Sequence, residues 1–255
     1  MDLEPVVWTL LVLAAGAAGW VDAIAGGGGL IQLPALLAAG VPLTNAVGVN
    51  KVSSICGTSA AVARYARHGS VRWRDLAVAG PVALLASAGG ALTLLAVARS
   101  AARDVKPFFA VCFLALAAQQ VYVVVRRPRA VLPTVPRPVV GLLFIGLIGL
   151  YDGVVGPGAG MFLFWAFTTW FAHPALTATG TTKAVNWLTN LGALVILVAE
   201  GQVIWTLALS MASANLLGGF VGAHAAIRRG VAFIRILTAL VSAGASVYLL
   251  VTSRT

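Results

Sequence analysis

Four charged side chains interrupt apolar stretches of this sequence at positions that suggest ion binding. Asp22 and Lys51 belong to the first half of the chain, and Asp152 and Lys183 belong to the second. An ionised group near the centre of a bilayer costs at least ~3 kcal/mol, so such groups pair with one another or line a pathway for ions. We therefore expect the four side chains to form one central site, in which Asp22 or Asp152 carries a coupled proton.

Each aspartate precedes a glycine motif that suits an anion. Gly26–Gly29 is a run of four glycines, and Gly156–Gly160 reads GPGAG. Glycine N–H groups approach a ligand without interference from Cβ, and a helix that begins there adds the positive end of its dipole. Two such helix ends converging at a repeat interface would form an anion site, to which Thr181 and Asn190 offer neutral hydrogen bonds. The predicted substrate-binding residues are Gly26, Gly27, Gly28, Gly29, Asn50, Lys51, Gly156, Gly158, Gly160, Thr182, Lys183 and Asn186.

The two motifs belong to an internal repeat, because residues of the same type recur at the same spacing in both halves. Gly19, Asp22, Gly26 and Gly28 align with Gly149, Asp152, Gly156 and Gly158 at one offset, and Pro42, Ala46, Gly48 and Lys51 align with Pro174, Ala178, Gly180 and Lys183 at a slightly larger one. Chance rarely produces such agreement. We therefore expect two homologous halves.

The composition indicates an integral membrane protein. Of 255 residues, 60% are hydrophobic and 9% are charged, whereas a soluble domain carries about 25% charged residues. The net charge of +10 does not indicate nucleic-acid binding, because the basic residues fall in short connectors between apolar runs. Cys56 and Cys112 lie in apolar runs without the spacing of a metal or redox motif, so core packing is expected and no cofactor is predicted.

The apolar segments that position these residues are of two lengths, one sufficient for a bilayer span of about 20 residues and one about half of that. The long segments are Val6–Ala25, Thr44–Tyr65, Leu76–Val97, Pro107–Val125, Val139–Val155, Ala175–Ala199, Val203–Ala225 and Val231–Val251. The half-length segments, Leu30–Ala39 and Gly160–Phe171, follow the glycine motifs and predict half-helices or re-entrant segments. The predicted fold is an all-α polytopic membrane protein with two homologous repeats, residues 1–125 and 139–255, each of about four transmembrane helices and a half-helix.

The basic residues predict the orientation of the chain in the membrane. Positive residues favour cytoplasmic loops, and the Arg/Pro-rich linker of residues 126–138 and the connector Arg64–Arg74 hold the most. In the second half the equivalent connector, Glu200–Gln202, has no basic residue, and Arg228 and Arg229 follow in the next one. The basic connector precedes a helix in the first half and follows the equivalent helix in the second half, which favours inverted repeats. The loop Arg99–Lys106 opposes this, so parallel repeats stay open.

At these motifs the chain closely resembles the TauE/SafE-type sulfite exporter family of bacterial membrane transporters. The resemblance rests on AGGGGLIQLPALLAAGVP and the later Asn50-Lys51 pair, and on YDGVVGPGAG and TTKAVNWLTN in the second half. It implies an inner-membrane protein that moves a small sulfur-containing anion, such as sulfite, thiosulfate or an organosulfonate, with the proton gradient. Val49 stands where many members have Thr, so a hydroxyl contact is lost there. The substrate, the direction of transport and a homo-oligomer stay open.

Other functions compete with anion transport. A cation channel or carrier would use the two aspartates as ligands, although two buried lysines oppose a cation. An intramembrane aspartyl protease needs two carboxylates that share a proton, and Asp22 lacks the Gly-x-Gly-Asp context, so no enzyme is predicted. The glycine runs lack the ending of a P-loop, so ATP is not expected to drive transport. The charges could instead form structural ion pairs, Asp22 with Lys51 and Asp152 with Lys183.

Several further residues have a structural explanation. His68, His173 and His224 fall at the ends of predicted segments, where solvated loop histidines are expected. Gly89-Gly90 and Gly218-Gly219 are expected to allow close packing of helices.

Overall fold

The computed structural model describes residues 3–100 and 137–252, and within those ranges the chain is almost entirely helical, with no β-strand. The predicted all-α fold is confirmed. The described helices are α1 (Pro5–Ala25), α2 (Gly29–Ala38), α3 (Leu43–Arg67), α4 (Trp73–Arg99), α5 (Pro138–Val154), α6 (Ala159–Thr169), α7 (Ala175–Ala199) and α8 (Trp205–Thr252). The predicted span Pro107–Val125, Cys112, residues 126–136 of the linker and most of the loop Arg99–Lys106 lie outside the described residues.

Four of the described helices are long and apolar enough to cross a membrane. They are α1, α4, α7 and the part of α8 from Trp205 to Gly230. Helix α3 has 25 residues and is more polar, because Lys51 lies among Asn, Ser and Thr side chains. In α8, Gly230 has φ 71° and ψ −163°, which breaks the helix. The two predicted spans Val203–Ala225 and Val231–Val251 lie on either side of this glycine.

The two predicted half-helices are present as α2, with 10 residues, and α6, with 11. Helix α6 turns back along α5, because the N–H of Arg137 before α5 donates to the carbonyl oxygen of Trp170 after α6 at 2.9 Å. Helix α2 turns back along α1 in the same way: Trp8 near the start of α1 packs on the cluster that holds Leu36 and Val41 from the end of α2. Each glycine motif is therefore the tip of a helical hairpin.

Helices α3 and α7 run antiparallel to each other between the hairpins. A Cβ atom on Gly48, near the start of α3, would lie 2.2 Å from the carbonyl oxygen of Gln202, which follows α7. A Cβ atom on Gly180, near the start of α7, would lie 2.3 Å from the carbonyl oxygen of Ser70, which follows α3. The sequence repeat aligns Gly48 with Gly180 and Ser70 with Gln202, so the two contacts are equivalent.

Small residues bring the outer helices close to the core. A Cβ atom on Gly90 would lie 2.1 Å from the carbonyl oxygen of Leu150, and one on Gly218 would lie 2.1 Å from the carbonyl oxygen of Gly16. The equivalent distance at Gly219, to the carbonyl oxygen of Gly57, is 2.3 Å. Close helix packing through glycine is therefore confirmed at these three positions. Gly89 is different, since the nearest atom to its Cβ position is 3.9 Å away.

Candidate functional site

The four charged residues of the repeat form two ion pairs, and each pair joins the two halves of the chain. Lys51 Nζ on α3 lies 2.9 Å from Asp152 Oδ1 on α5, and Lys183 Nζ on α7 lies 2.8 Å from Asp22 Oδ2 on α1. The alternative in which Asp22 pairs with Lys51 and Asp152 with Lys183 is therefore wrong. Because α3 and α7 are antiparallel and the two hairpin tips meet, each lysine faces the aspartate of the other half.

The two pairs are buried and are not equivalent. The side chains of Lys51 and Asp152 are 1% and 2% exposed, and Lys51 Nζ also donates to Asn190 Oδ1 at 3.1 Å. Oδ2 of Asp152 is buried without a hydrogen-bond partner among the described residues. Asp22 is 16% exposed, and its Oδ1 accepts a hydrogen bond from the N–H of Gly28 at 3.2 Å. Since an unpaired buried charge is costly, removing one member of either pair is expected to destabilise the protein.

Backbone contact between the glycine motifs brings the amino ends of the two half-helices together. A Cβ atom on Gly26 would lie 2.5 Å from the carbonyl carbon of Gly160, and one on Gly29 would lie 3.1 Å from Cα of Pro157. Gly26 also ends α1 with φ 81°, and Gly158 precedes α6 with φ 79°, in the left-handed region that glycine adopts without strain. The positive ends of both helix dipoles therefore point toward the same place.

A small polar cavity lies at this meeting point. About 20 Å³ is free for the centre of a water-sized molecule, which is room for one or two waters. Its walls combine both carboxylates, both glycine motifs and a set of amide and hydroxyl side chains. The lining residues are Asp22, Gly26, Gly29, Asn50, Ser54, Asp152, Gly156, Gly158, Gly160, Asn186 and Asn190.

Most of the predicted site residues lie at this cavity. Of the predicted substrate-binding residues, Gly26, Gly29, Asn50, Gly156, Gly158, Gly160 and Asn186 line it, and both predicted proton carriers do so too. Each of the two lysines is bonded to an aspartate that lines the cavity. The predicted residues that are not among its lining residues are Gly27, Gly28, Lys51, Thr182 and Lys183. Gly28 instead holds Asp22, and Thr182 is 1% exposed with a buried Oγ1 that has no partner among the described residues.

The sequence prediction missed Ser54. Ser54 and Asn50 are four residues apart on α3, and Asn186 and Asn190 are four residues apart on α7, so each pair occupies one face of its helix. The repeat that aligns the two lysines also aligns Ser54 with Asn186. This alignment, together with the helical spacing, is the signal that could have identified Ser54.

Two of the three histidines differ from the expected solvated loop residues. His173 is only 8% exposed, and its Nε2 lies 2.7 Å from Oδ2 of Asp75. Pro174 directly after it marks the segment end, but the connector folds back under α6 and buries the ring. His224 lies inside α8, half-buried, and is hydrogen-bonded to Arg64. His68 is exposed after α3, as predicted.

Comparison with known proteins gives one consistent result. A family model described as "Sulfite exporter TauE/SafE" matches residues 11–249. The "Probable membrane transporter protein ORF9" of Sinorhizobium sp is 35% identical over 253 residues, which cover 98% of this chain and 94% of that protein. The "Probable membrane transporter protein YfcA" of Escherichia coli strain K12 is 31% identical over 252 residues, which cover 97% and 91%.

A "Probable membrane transporter protein" of Haemophilus influenzae is 28% identical over 242 residues, which cover 95% of this chain and 94% of that protein. No solved structure matches the chain. The family model covers nearly the whole chain, and the relatives of almost equal length are named as membrane transporters. The chain therefore belongs to the TauE/SafE sulfite exporter family and is a membrane transporter.

Proposed function

We propose that this protein is a secondary transporter of a small sulfur-containing anion, such as sulfite, thiosulfate or an organosulfonate, in the bacterial inner membrane. The observation that carries this proposal is the pair of buried, crossed lysine–aspartate bridges beside two helix amino ends. The lysines supply positive charge, and the amino ends and amide side chains supply N–H donors. An oxyanion is the ligand that such donors suit best.

We propose that the ion pairs couple the binding of the anion to the binding of a proton. While Asp152 is ionised, it neutralises Lys51 and competes with any anion for the ammonium group. When Asp152 takes up a proton, Lys51 becomes an unpaired buried cation, and an incoming oxyanion restores neutrality. The same exchange can take place between Asp22 and Lys183. The proton and the anion therefore bind together, and the affinity for the anion falls as the pH rises.

Two homologous repeats of inverted orientation fit these contacts. If residues 1–125 and 139–255 are inverted copies, then equivalent helices α3 and α7 must be antiparallel, and equivalent hairpins must enter from opposite faces. The reciprocal contacts of Gly48 with Gln202 and of Gly180 with Ser70 support this arrangement. It places the arginine-rich connector after α3 and the linker of residues 126–138 on the cytoplasmic side. Each hairpin then enters the membrane and returns to the same face, so that the crossings of the second repeat are α7 and the two parts of α8 on either side of Gly230.

The size of the cavity implies movement during transport. Room for one or two waters is less than a sulfite ion with four heavy atoms requires. We infer that the hairpins move apart from the helices packed around them to admit the anion from one face at a time, as in transporters with broken helices and inverted repeats.

Cation transport and proteolysis fit the site less well. Each aspartate is already bonded to a lysine, which opposes a metal cation at the same carboxylate. The same bonds oppose a carboxylate dyad that shares a proton, so we propose no catalytic activity.

The proposal is tested by flux in proteoliposomes that contain the purified protein. We expect saturable flux of sulfite or thiosulfate that a proton gradient accelerates and that sodium does not. Protein-free liposomes and the double variant Lys51→Gln/Lys183→Gln serve as controls. Saturable sodium flux without anion flux would contradict the proposal and favour the cation carrier.

A further inference from the structure

A histidine–aspartate pair, with a buried His173 and a partly exposed Asp75, lies away from the central site, where the half-helix α6 leads into α7. His173 Nε2 contacts Asp75 Oδ2 on the first turn of α4 at 2.7 Å. The His173 ring stacks on Phe167 of α6, with ring centroids 5.9 Å apart and planes within 7°, and its backbone N–H donates to the Phe167 carbonyl oxygen at 3.0 Å. The pair thus ties the end of α6 to the start of α4.

The same end of the molecule carries the arginine-rich connector between α3 and α4. The N–H of Arg72 in this connector donates to Thr181 Oγ1 on α7 at 3.1 Å. We call this the arginine-bearing end. Movement of the α5–α6 hairpin away from α4 at this end requires the bond between His173 and Asp75 to break.

The opposite end of the molecule has apolar residues at the equivalent positions. The repeat aligns His173 with Val41, since each precedes the aligned proline, and it aligns Asp75 with Leu207, since each is the third residue of a helix that starts with Trp. Val41 and Leu207 are 2% and 1% exposed and belong to one hydrophobic cluster. At these equivalent positions, one end therefore has an ionisable pair and the other has aliphatic side chains; the ion pair of Arg99 with Glu200 at the second end is exposed.

We propose that His173 and Asp75 form a proton-sensitive latch, which closes the transport pathway at the arginine-bearing end only. This inference rests on the proposed function, because the pathway is the route to the proposed anion site. Histidine changes its charge between about pH 5 and pH 8, and a charge-assisted hydrogen bond is stronger than a neutral one. The latch is closed most firmly while His173 is protonated, and it opens more often as the pH at that end rises.

Few other charges bear on His173. Its contacts on α6 and the following connector are the rings of Phe167 and Phe171, and α6 carries no charged side chain. At this end of the described neighbouring elements the other charged side chains are Arg72, Arg74 and Arg137, and all three are exposed. Arg99 on α4, Asp152 on α5 and Lys183 on α7 lie farther along their helices and are paired with Glu200, Lys51 and Asp22. Asp75 is therefore the ionisable group that decides the strength of the latch.

The latch is tested by access to the cavity, which requires no substrate. The reporter is Ser54→Cys in a background where Cys56 and Cys112 are replaced by Ser, and the probe is a membrane-impermeant maleimide applied to one face. The ratio of the labelling rates from the two faces cancels the pH dependence of the thiol itself. We expect the rate from the arginine-bearing face, relative to the other face, to rise about tenfold between about pH 6 and pH 8.

Two variants of the latch and one matched control decide the outcome. His173→Gln and Asp75→Asn should give the high ratio at both pH values, whereas His68→Gln, which changes an exposed histidine at the same end, should behave like the parent. The latch would be overturned if the labelling ratio still changed with pH in His173→Gln, or if the labelling rates changed equally at both faces. It would also be overturned if His173→Ala gave no labelling from the arginine-bearing face. Sulfite flux in the same variants reports separately on the proposed function.

Discussion

Each lysine is paired with the aspartate of the other half of the chain. This crossed pairing limits what the sequence could predict about individual residues. The sequence predicted that these four charges come together, because no other charges interrupt the described apolar segments in equivalent pairs. It could not predict their partners, since the partner of each lysine depends on how the halves are oriented. The half-burial of Asp22 and the unpartnered oxygen of Asp152 also arise from packing that residue types alone do not specify.

A double-mutant cycle tests the crossed pairing. We expect Lys51→Ala to cost about 3–5 kcal/mol, because it leaves Asp152 buried without a cation. The coupling energy between Lys51→Ala and Asp152→Ala should exceed about 1 kcal/mol, whereas the cycle of Lys51 with Asp22 should give less than about 0.5 kcal/mol. Unfolding in mixed micelles provides the free energies. Strong coupling of Lys51 with Asp22 and none with Asp152 would contradict the observed pairs.

At the scale of the elements, the half-helices were predictable, and the hairpins were only partly so. Short apolar segments between glycine motifs and proline gave the positions of α2 and α6 to within two residues. That each half-helix turns back along the preceding helix follows from contacts such as that of Arg137 with Trp170, which no local pattern indicates. The burial of His173 escaped prediction for the same reason, because its partner Asp75 is distant in sequence.

The contact between the hairpin tips is tested by adding one methyl group. Gly26→Ala places a Cβ atom 2.5 Å from the backbone of Gly160 and also strains a backbone with φ 81°. Gly40→Ala is the matched control, since its φ is 78° but no described atom lies within 4 Å of the new Cβ. We expect Gly40→Ala to cost about 1–2 kcal/mol and to retain transport. Gly26→Ala should cost more and abolish transport, and equal effects of both changes would show that the tips do not need to touch.

At the scale of the whole molecule, the proposed inversion of the repeats makes a prediction about the two faces of the membrane. The basic residues of the sequence favoured inversion, and the antiparallel contacts of α3 and α7 support it. Single cysteines at Arg72 and Glu200, which are both exposed, should react with an impermeant maleimide from opposite faces, with Arg72→Cys on the cytoplasmic side. Labelling of both from the same face would contradict inverted repeats.

The central claim is that both lysines bind a transported anion between the two hairpin tips. It is tested most directly by the rate of sulfite flux in proteoliposomes that contain Lys51→Gln or Lys183→Gln. Arg99→Gln is the control, because it also removes a cation from an ion pair, with Glu200, but at an exposed position. We expect each lysine variant to lose at least about 100-fold in flux, equivalent to about 2.8 kcal/mol, while Arg99→Gln transports like the parent. Parental flux in both folded lysine variants would contradict the account.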